Sequence, residues 1–495
     1  MARHDVLLRN ALVHDGTGGE PFTADVAVKD GRITEVGSSE GDATIDLDVS
    51  GLALSPGFID VHTHDDFAAV LHPDMAFKLL GGVTACVVGN CGMGAAPHRA
   101  ASAMAQAFHP GRTIPEWEGY RGYLDRLDAE PPALHVAALV GHGTLRLDAM
   151  GGARREPSAG EMQQMKDGLH EGLDAGAVGL STGLIYEPGR HARTDEIVEL
   201  AAEMAGTGAL YATHMRDEGG RLVESVDEAI EIGERAGVPV QISHHKASGR
   251  ENWGKVAESL GRIEAGQARG VDVHADQYPY TAGSTILAAI VQNDGFGGRT
   301  GGVGRIEPGD VVVASTKSHP QWEGRSIADF ADEWKISGAE AADRVLADEP
   351  MATIVMHSMS EDDVRTVMRH ASTMIGSDGI PSIEGRPHPR LYGTFARVLG
   401  HYARDVGVFS LAEAVHRMTG FPARKFRLED RGVVRAGAFA DLVVFDPQTV
   451  IDVGTYEDPK QPPAGITHVF VEGHHAVADG RQTAERAGRT LRRRA

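Results

Sequence analysis

Hydrophobic and polar positions follow two textures along this chain. Over residues 4–54 the apolar runs are short: Val6–Leu8, Ala24–Lys29, Arg32–Val36 and Ala43–Asp46. Asp15-Gly16, Asp30-Gly31 and Gly51 part them, and such residues form turns, so a small β unit is predicted. From residue 58 apolar runs alternate with segments of helical spacing, as in Leu222, Val226, Ile230 and Gly233. The runs 58–64, 83–89, 134–141, 177–182, 208–214, 238–244, 271–277 and 373–378 predict strands, with helices such as Leu222–Ala236 and Trp253–Arg269 between them. Eight βα units in series favour a closed barrel over an open sheet.

Residues about 284–350 break this rhythm, with Gly295–Gly304 near their start. A stretch of that length reads as a lid or a disordered loop. Residues 352–359 read as one more strand before the eighth. After about residue 424 short strands return, most clearly Gly432–Arg435, Ala440–Phe445 and His468–Val471. The expected fold class is α/β: a (β/α)8 TIM barrel over 57–423 carrying the insertion, with a small β domain built from residues 1–56 and 424–495. The end segments can pair because the two ends of a closed barrel lie close together.

A barrel of this type carries its chemistry at the C-terminal ends of its strands. There the chain places His62 and His64, Cys91, His214, His244 and Asp378. Each alone is a common occurrence; together on one rim they predict a site. His62 and His64 lie two residues apart, so a strand would project both imidazoles from one face, able to grip a divalent metal. The Cys91 thiolate with His214 and His244 makes a three-ligand zinc set with an open fourth position, the catalytic rather than the structural pattern. Zinc lowers the pKa of water to about 7. Asp378 is suited to take a proton from that water and pass it to a leaving amine. Cys86 lies inside an apolar run and is expected to be buried, and His245 to face away from the site.

The run Pro56-Gly57-Phe58-Ile59-Asp60-Val61-His62-Thr63-His64 resembles the first-strand signature of the amidohydrolase superfamily. Asp430-Arg431-Gly432, Gly437 and Ala440–Val444 resemble its C-terminal β-domain signature. More narrowly, the chain resembles the D-aminoacylases (N-acyl-D-amino-acid deacylases). Matching segments are Val88–Gly92, Val140–Arg146, Leu180–Tyr186, Tyr211–Arg216, Ile242–Lys246, Tyr278–Ser284, Ser377–Gly379 and His388–Phe395. The resemblance implies a tight zinc on Cys91, His214 and His244, a weaker second position near His62 and His64, and Asp378 as general acid/base. It implies that Lys246, Tyr278 and Arg390 hold a substrate carboxylate, and that Ser284 and Met359 line the side-chain pocket. The implied substrate is a small N-acyl-D-amino acid, cleaved at its amide. Gly295–Gly302 and Ser382–Arg386 have no counterpart in that pattern. Two rival readings are a cyclic-amide hydrolase of the hydantoinase or dihydroorotase kind, and a non-catalytic metal-binding barrel. The first would need a lysine on strand four, where the chain has Ala177–Thr182.

Composition narrows the partners. The 495 residues carry a net charge of −22, which repels nucleic acid and anionic membranes. The exception is a tail with Arg486, Arg489, Arg492, Arg493 and Arg494, which reads as a solvated or frayed end. Only Cys86 and Cys91 are present, so a disulfide framework is excluded and a reducing compartment expected. The first residues lack the apolar run of a signal peptide, and no window is apolar enough to span a bilayer. The expected location is the cytoplasm.

Overall fold

The structure, a computed structural model, describes residues 3–297 and 302–493. Strands Phe58–Asp60, Val83–Val88, His135–Gly141, Gly179–Gly183, Leu210–His214, Val240–Ile242, Val273–Gln277 and Thr373–Ile375 lie side by side in chain order. Successive pairs are parallel, as the βα alternation predicts. Helix Leu222–Ala236 shows how the layers are built. Leu222, Val226, Ala229, Ile230 and Gly233 form its buried stripe, and Gly237, at φ +68°, ends it.

The first and eighth strands do not share a full ladder. Their seam is a single bridge, Thr63 to Gly379, with the Asp378 N–H donating to His62 O at 2.8 Å. Side chains complete the closure. The buried Lys78 ammonium donates to Asp60 Oδ2 at 2.8 Å and to Ser377 Oγ at 2.6 Å, and Asp60 Oδ1 accepts the Ser377 N–H at 2.8 Å. Unpaired, a buried ammonium costs several kcal/mol. The clamp spans the seam directly beneath His62 and Asp378.

Strands His4–Val13, Phe22–Lys29, Arg32–Gly37, Ala43–Asp48 and Ala53–Pro56 join Leu442–Phe445, Ile466–Val471, His474–Ala478 and Arg481–Gln482 in one nine-stranded sheet. The join is antiparallel, Val443 opposite Ser55. Its core holds Val6, Leu8, Val26, Leu54, Leu442, Val444 and Phe470, all buried. Gly432–Arg435, expected as a strand, is an irregular loop. Gly432 stands at φ +72°, which no strand residue adopts, and the Val434 N–H donates to Asp15 O instead of to a ladder.

The insertion is not a loop. Ala282–Ile286, Val311–Ser315 and Thr353–His357 form a three-stranded antiparallel sheet, so the extra strand near 352–359 belongs here and not to the barrel. Helices Leu287–Gln292, Ile327–Trp334 and Gly338–Asp348 cover it over a core of its own, including Ile290, Val313, Phe330, Val345 and Ile354. Capping boxes start two of these helices, at Ser326 with Asp329 and Ser337 with Glu340. Of the Gly-rich run, Gly298–Gly301 lie outside the described residues.

The basic tail is docked, not frayed. Thr490 bridges to Val136. Arg492 pairs with Asp125 and Asp128 at 2.7 and 2.8 Å, and Arg493 donates to Thr207 O at 3.0 Å. Arg489 and Arg431 both pair with Glu472. A guanidinium has five donors and serves carbonyls and carboxylates at once, so arginines can staple a terminus. Arg494 lies outside the described residues.

Candidate active site and metal centre

His214 ends its strand, but Cys91, His244 and Asp378 each lie a few residues beyond theirs. All three hold left-handed backbones, at φ +54°, +36° and +50°. For a residue with a Cβ this costs about 1–2 kcal/mol each, a strain that clusters at functional sites. These tight turns, and not strand alternation, carry the side chains over the barrel mouth. The first strand likewise ends at Asp60, so His62 and His64 lie beyond it, in a bend and on either side of the Thr63 bridge. His245 turns outward to Ser259 Oγ at 2.9 Å.

The turns converge. Cys91 Sγ stands 3.7 Å from His214 Nδ1, 3.6 Å from His244 Nε2 and 3.4 Å from His62 Nε2. With Zn–S about 2.3 Å and Zn–N about 2.1 Å, a tetrahedral angle puts sulfur and nitrogen about 3.6 Å apart. The donor set therefore fits zinc. Cys91, His214 and His244 make one cluster able to hold a metal; His62, His64, Cys91 and Asp378 make a second that shares the sulfur. All six residues are buried. Burial pushes the Cys91 thiol up, but His62, His214 and His244 outweigh it and hold it well below its ordinary value. The thiolate is the form that binds zinc.

Two carboxylates that the sequence reading passed over orient these imidazoles. Asp276 Oδ1 lies 3.1 Å from His62 Nδ1 and accepts the backbone N–H of His244 at 2.7 Å. Glu218 Oε1 lies 2.9 Å from His244 Nδ1 and 2.6 Å from Lys246 Nζ. Burial raises the Glu218 carboxyl, but Lys246 and the histidines override it and hold it below the ordinary range. Asp276 sits near the C-terminal end of the seventh strand, a rim position that could have marked it. Glu218, four residues past His214 in a loop, had no such signal.

Asp378 Oδ1 lies 3.2 Å from His64 Nε2 and 3.4 Å from His62 Nε2, while Oδ2 pairs with Arg390 at 2.8 Å. Burial raises the Asp378 carboxyl, but Arg390, His244 and His62 hold it well below the ordinary range, so it is ionised. Arg390 is 1% exposed and also donates to Ser284 O at 3.1 Å, yet its Nε and Nη1 have no partner in the protein. Its guanidinium lies 4.4 Å over the Tyr278 ring, and Lys246 Nζ is 5.8 Å from the same ring. Lys246, Tyr278 and Arg390 are thus brought together beside the metal cluster. Met359 packs on Tyr278 and Tyr280.

A cavity of about 260 Å³ opens from His64 and Asp378. Met93, Met104, Phe108, Ile286 and Ile380 line it, Ser284 lies on its wall, and Met351 is at its edge. Among the described residues no lysine or arginine lines it. Met359 is not part of its wall.

Barrel and donor set together fit the class of metal-dependent barrel enzymes, with donors able to hold a metal at the strand ends. The chain belongs to the amidohydrolase family, whose model matches residues 43–477. It is 42% identical to D-aminoacylase of Alcaligenes xylosoxydans xylosoxydans over 494 residues, covering 99% of this chain and 98% of that one. It is 37% identical to the N-acyl-D-aspartate deacylase of the same organism, covering 99% and 95%. The N-acyl-D-glutamate deacylase of Bordetella bronchiseptica, solved with zinc and a phosphonate mimic of the tetrahedral intermediate, superposes with a TM-score of 0.89 at 39% identity, covering 99% of each chain. Among the described residues no helix is long and apolar enough to cross a membrane.

Proposed function

We propose that this chain is a zinc-dependent hydrolase of N-acyl-D-amino acids, releasing a D-amino acid and a carboxylate. The observation that carries the substrate class is the buried Arg390, whose two unpartnered donors face no protein acceptor. A buried guanidinium so placed awaits a planar anion. Lys246 and the Tyr278 hydroxyl complete a fork for the α-carboxylate. Cys91, His214 and His244 hold the zinc, with His62 and His64 at a weaker second position. Zinc there supplies Lewis acidity toward the acyl carbonyl and toward water. Asp378, held ionised by Arg390 at rest, takes the proton of the attacking water, carries it as the carboxylic acid, and delivers it to the leaving nitrogen, which returns Asp378 to the carboxylate. The strained turns at Cys91, His244 and Asp378 fix the geometry before substrate arrives.

The D preference is that of the relatives. The strand-four segment Gly179–Gly183 has no lysine, so the carboxylated-lysine bridge of cyclic-amide hydrolases has no residue to form on. The apolar cavity favours an uncharged substituent, because a carboxylate there would be desolvated without a cation. With both cysteines free and buried, we place the enzyme in the reducing cytoplasm.

Asp378→Asn retains zinc and loses kcat by at least about 10²-fold. The assay uses N-acetyl and N-hexanoyl derivatives of D- and L-Leu, D-Met, D-Glu and D-Asp. Turnover of the neutral D series exceeds that of the acidic series. Comparing the two acyl chains tells whether the cavity takes the side chain or the acyl group. Zinc-loaded protein inert toward every D derivative would defeat the proposal.

A further inference from the structure

Glu218 is 3% exposed and touches both halves of the site. Its Oε1 is 2.9 Å from Nδ1 of His244, whose Nε2 faces the Cys91 sulfur, and 2.6 Å from Nζ of Lys246. Lys246 Nζ also lies 2.8 Å from the same His244 Nδ1. This contact is a hazard for a metal ligand. An ammonium only donates, so alone it would favour a bare Nδ1 and a proton on Nε2. That tautomer cannot offer Nε2 to a metal. A carboxylate at Oε1 accepts from both neighbours: it takes the Nδ1–H, leaves Nε2 bare toward the sulfur, and fixes the lysine by charge.

The backbone around Glu218 is tied on two sides. Its N–H donates to Gly302 O at 2.7 Å and its carbonyl accepts the Ser248 N–H at 2.7 Å. Asp217 accepts the N–H groups of Gly219 and Gly302, each at 2.8 Å, so the loop is pinned to the insertion. Such anchoring suits a residue whose task is placement.

We infer that Glu218 is a positioning residue that couples the zinc ligand His244 to the carboxylate anchor Lys246, setting the tautomer of one and the position of the other. The inference rests on the zinc and carboxylate roles proposed above. It predicts one substitution with two separable effects. In Glu218→Gln zinc affinity falls about 10–100-fold, the range for loss of an outer partner of a metal-binding histidine. In the same variant KM for an N-acyl-D-amino acid rises at least tenfold, while KM for the C-terminal amide of that substrate, which lacks the carboxylate, stays within twofold.

Zinc affinity is read on full-length protein by competition with a chromogenic chelator, without substrate, so failure of the deacylase reading leaves this arm intact. Circular dichroism confirms folding. Glu218→Asp, which keeps the charge, recovers part of both effects. Lys246→Met gives a check if the glutamine variant does not fold: it keeps wild-type or tighter zinc binding, because the competing donor is gone, and loses carboxylate affinity. Wild-type zinc affinity in Glu218→Gln, or an equal rise in KM for acid and amide, overturns the coupling. So does loss of zinc in Lys246→Met.

Discussion

At the scale of single residues, burial sets titration. His109 is 3% exposed, its Nε2 has no partner in the protein, and burial with His72 and Arg112 beside it pushes its pKa down to about 4. An unfolded histidine titrates near 6.5. Between those values the unfolded chain binds the extra proton, so stability rises with pH across the window and is lost as pH falls from about 6.5 toward 4. His109→Gln, which cannot titrate, removes that loss, by up to roughly 3 kcal/mol. Urea unfolding of wild type and variant at pH 7 and pH 5 checks this: the variant gains on wild type at the lower pH. A constant difference between them would show that His109 takes no part in acid destabilisation. Residue type also made most of the rim legible. Histidine, cysteine and aspartate at strand ends point to metal chemistry, and the structure gathers Cys91, His62, His64, His214, His244 and Asp378 around two clusters. Glu218 stayed hidden because nothing local separates an orienting carboxylate in a loop from a solvated one.

Among the elements, strands and helices of the barrel followed from periodicity, since each must bury one face or stripe. The insertion did not, for two reasons. Its glycines read as a loop and outweigh the Ser326…Asp329 and Ser337…Glu340 capping boxes, although both are sequence signals. The tail failed for a different reason. A run of arginines looks solvated unless its acceptors are known, and of those acceptors Asp125, Asp128 and Thr207 O lie far away in sequence, only Glu472 being near. Deleting residues 487–495 exposes these acceptors and removes the Thr490 bridge. The expected cost is at least about 2 kcal/mol, carried mainly by the half-buried Arg493 and Thr490 bonds, since the solvent-facing Arg492 and Arg489 pairs contribute at most about 1 kcal/mol each. Thermal melting checks it; an unchanged midpoint would return the tail to a solvated role.

Over the whole molecule, an ion on Cys91, His214 and His244 would tie three separate barrel strands, the one that ends at His214 and those that precede Cys91 and His244. Zinc binds the folded state and so stabilises it, by about 2.7 kcal/mol at a hundredfold excess over Kd. Stripping the metal lowers the melting temperature and leaves far-UV circular dichroism unchanged, because the strands persist without it. Metal loss verified by elemental analysis with no change in melting would show that these side chains do not share an ion.

By itself the sequence determined the alternation of strand and helix, the residue types on the catalytic rim, and through them the reaction class. Those are local properties: periodicity reports which face is buried, and donor chemistry belongs to the side chain. Only the tertiary structure decided that Cys91, His214 and His244 stand a tetrahedral edge apart, that left-handed turns aim them, that Arg390 holds two free donors, and that the tail is docked. Each depends on groups distant in the chain meeting at atomic separation, and burial of charge forces such meetings without leaving a local pattern.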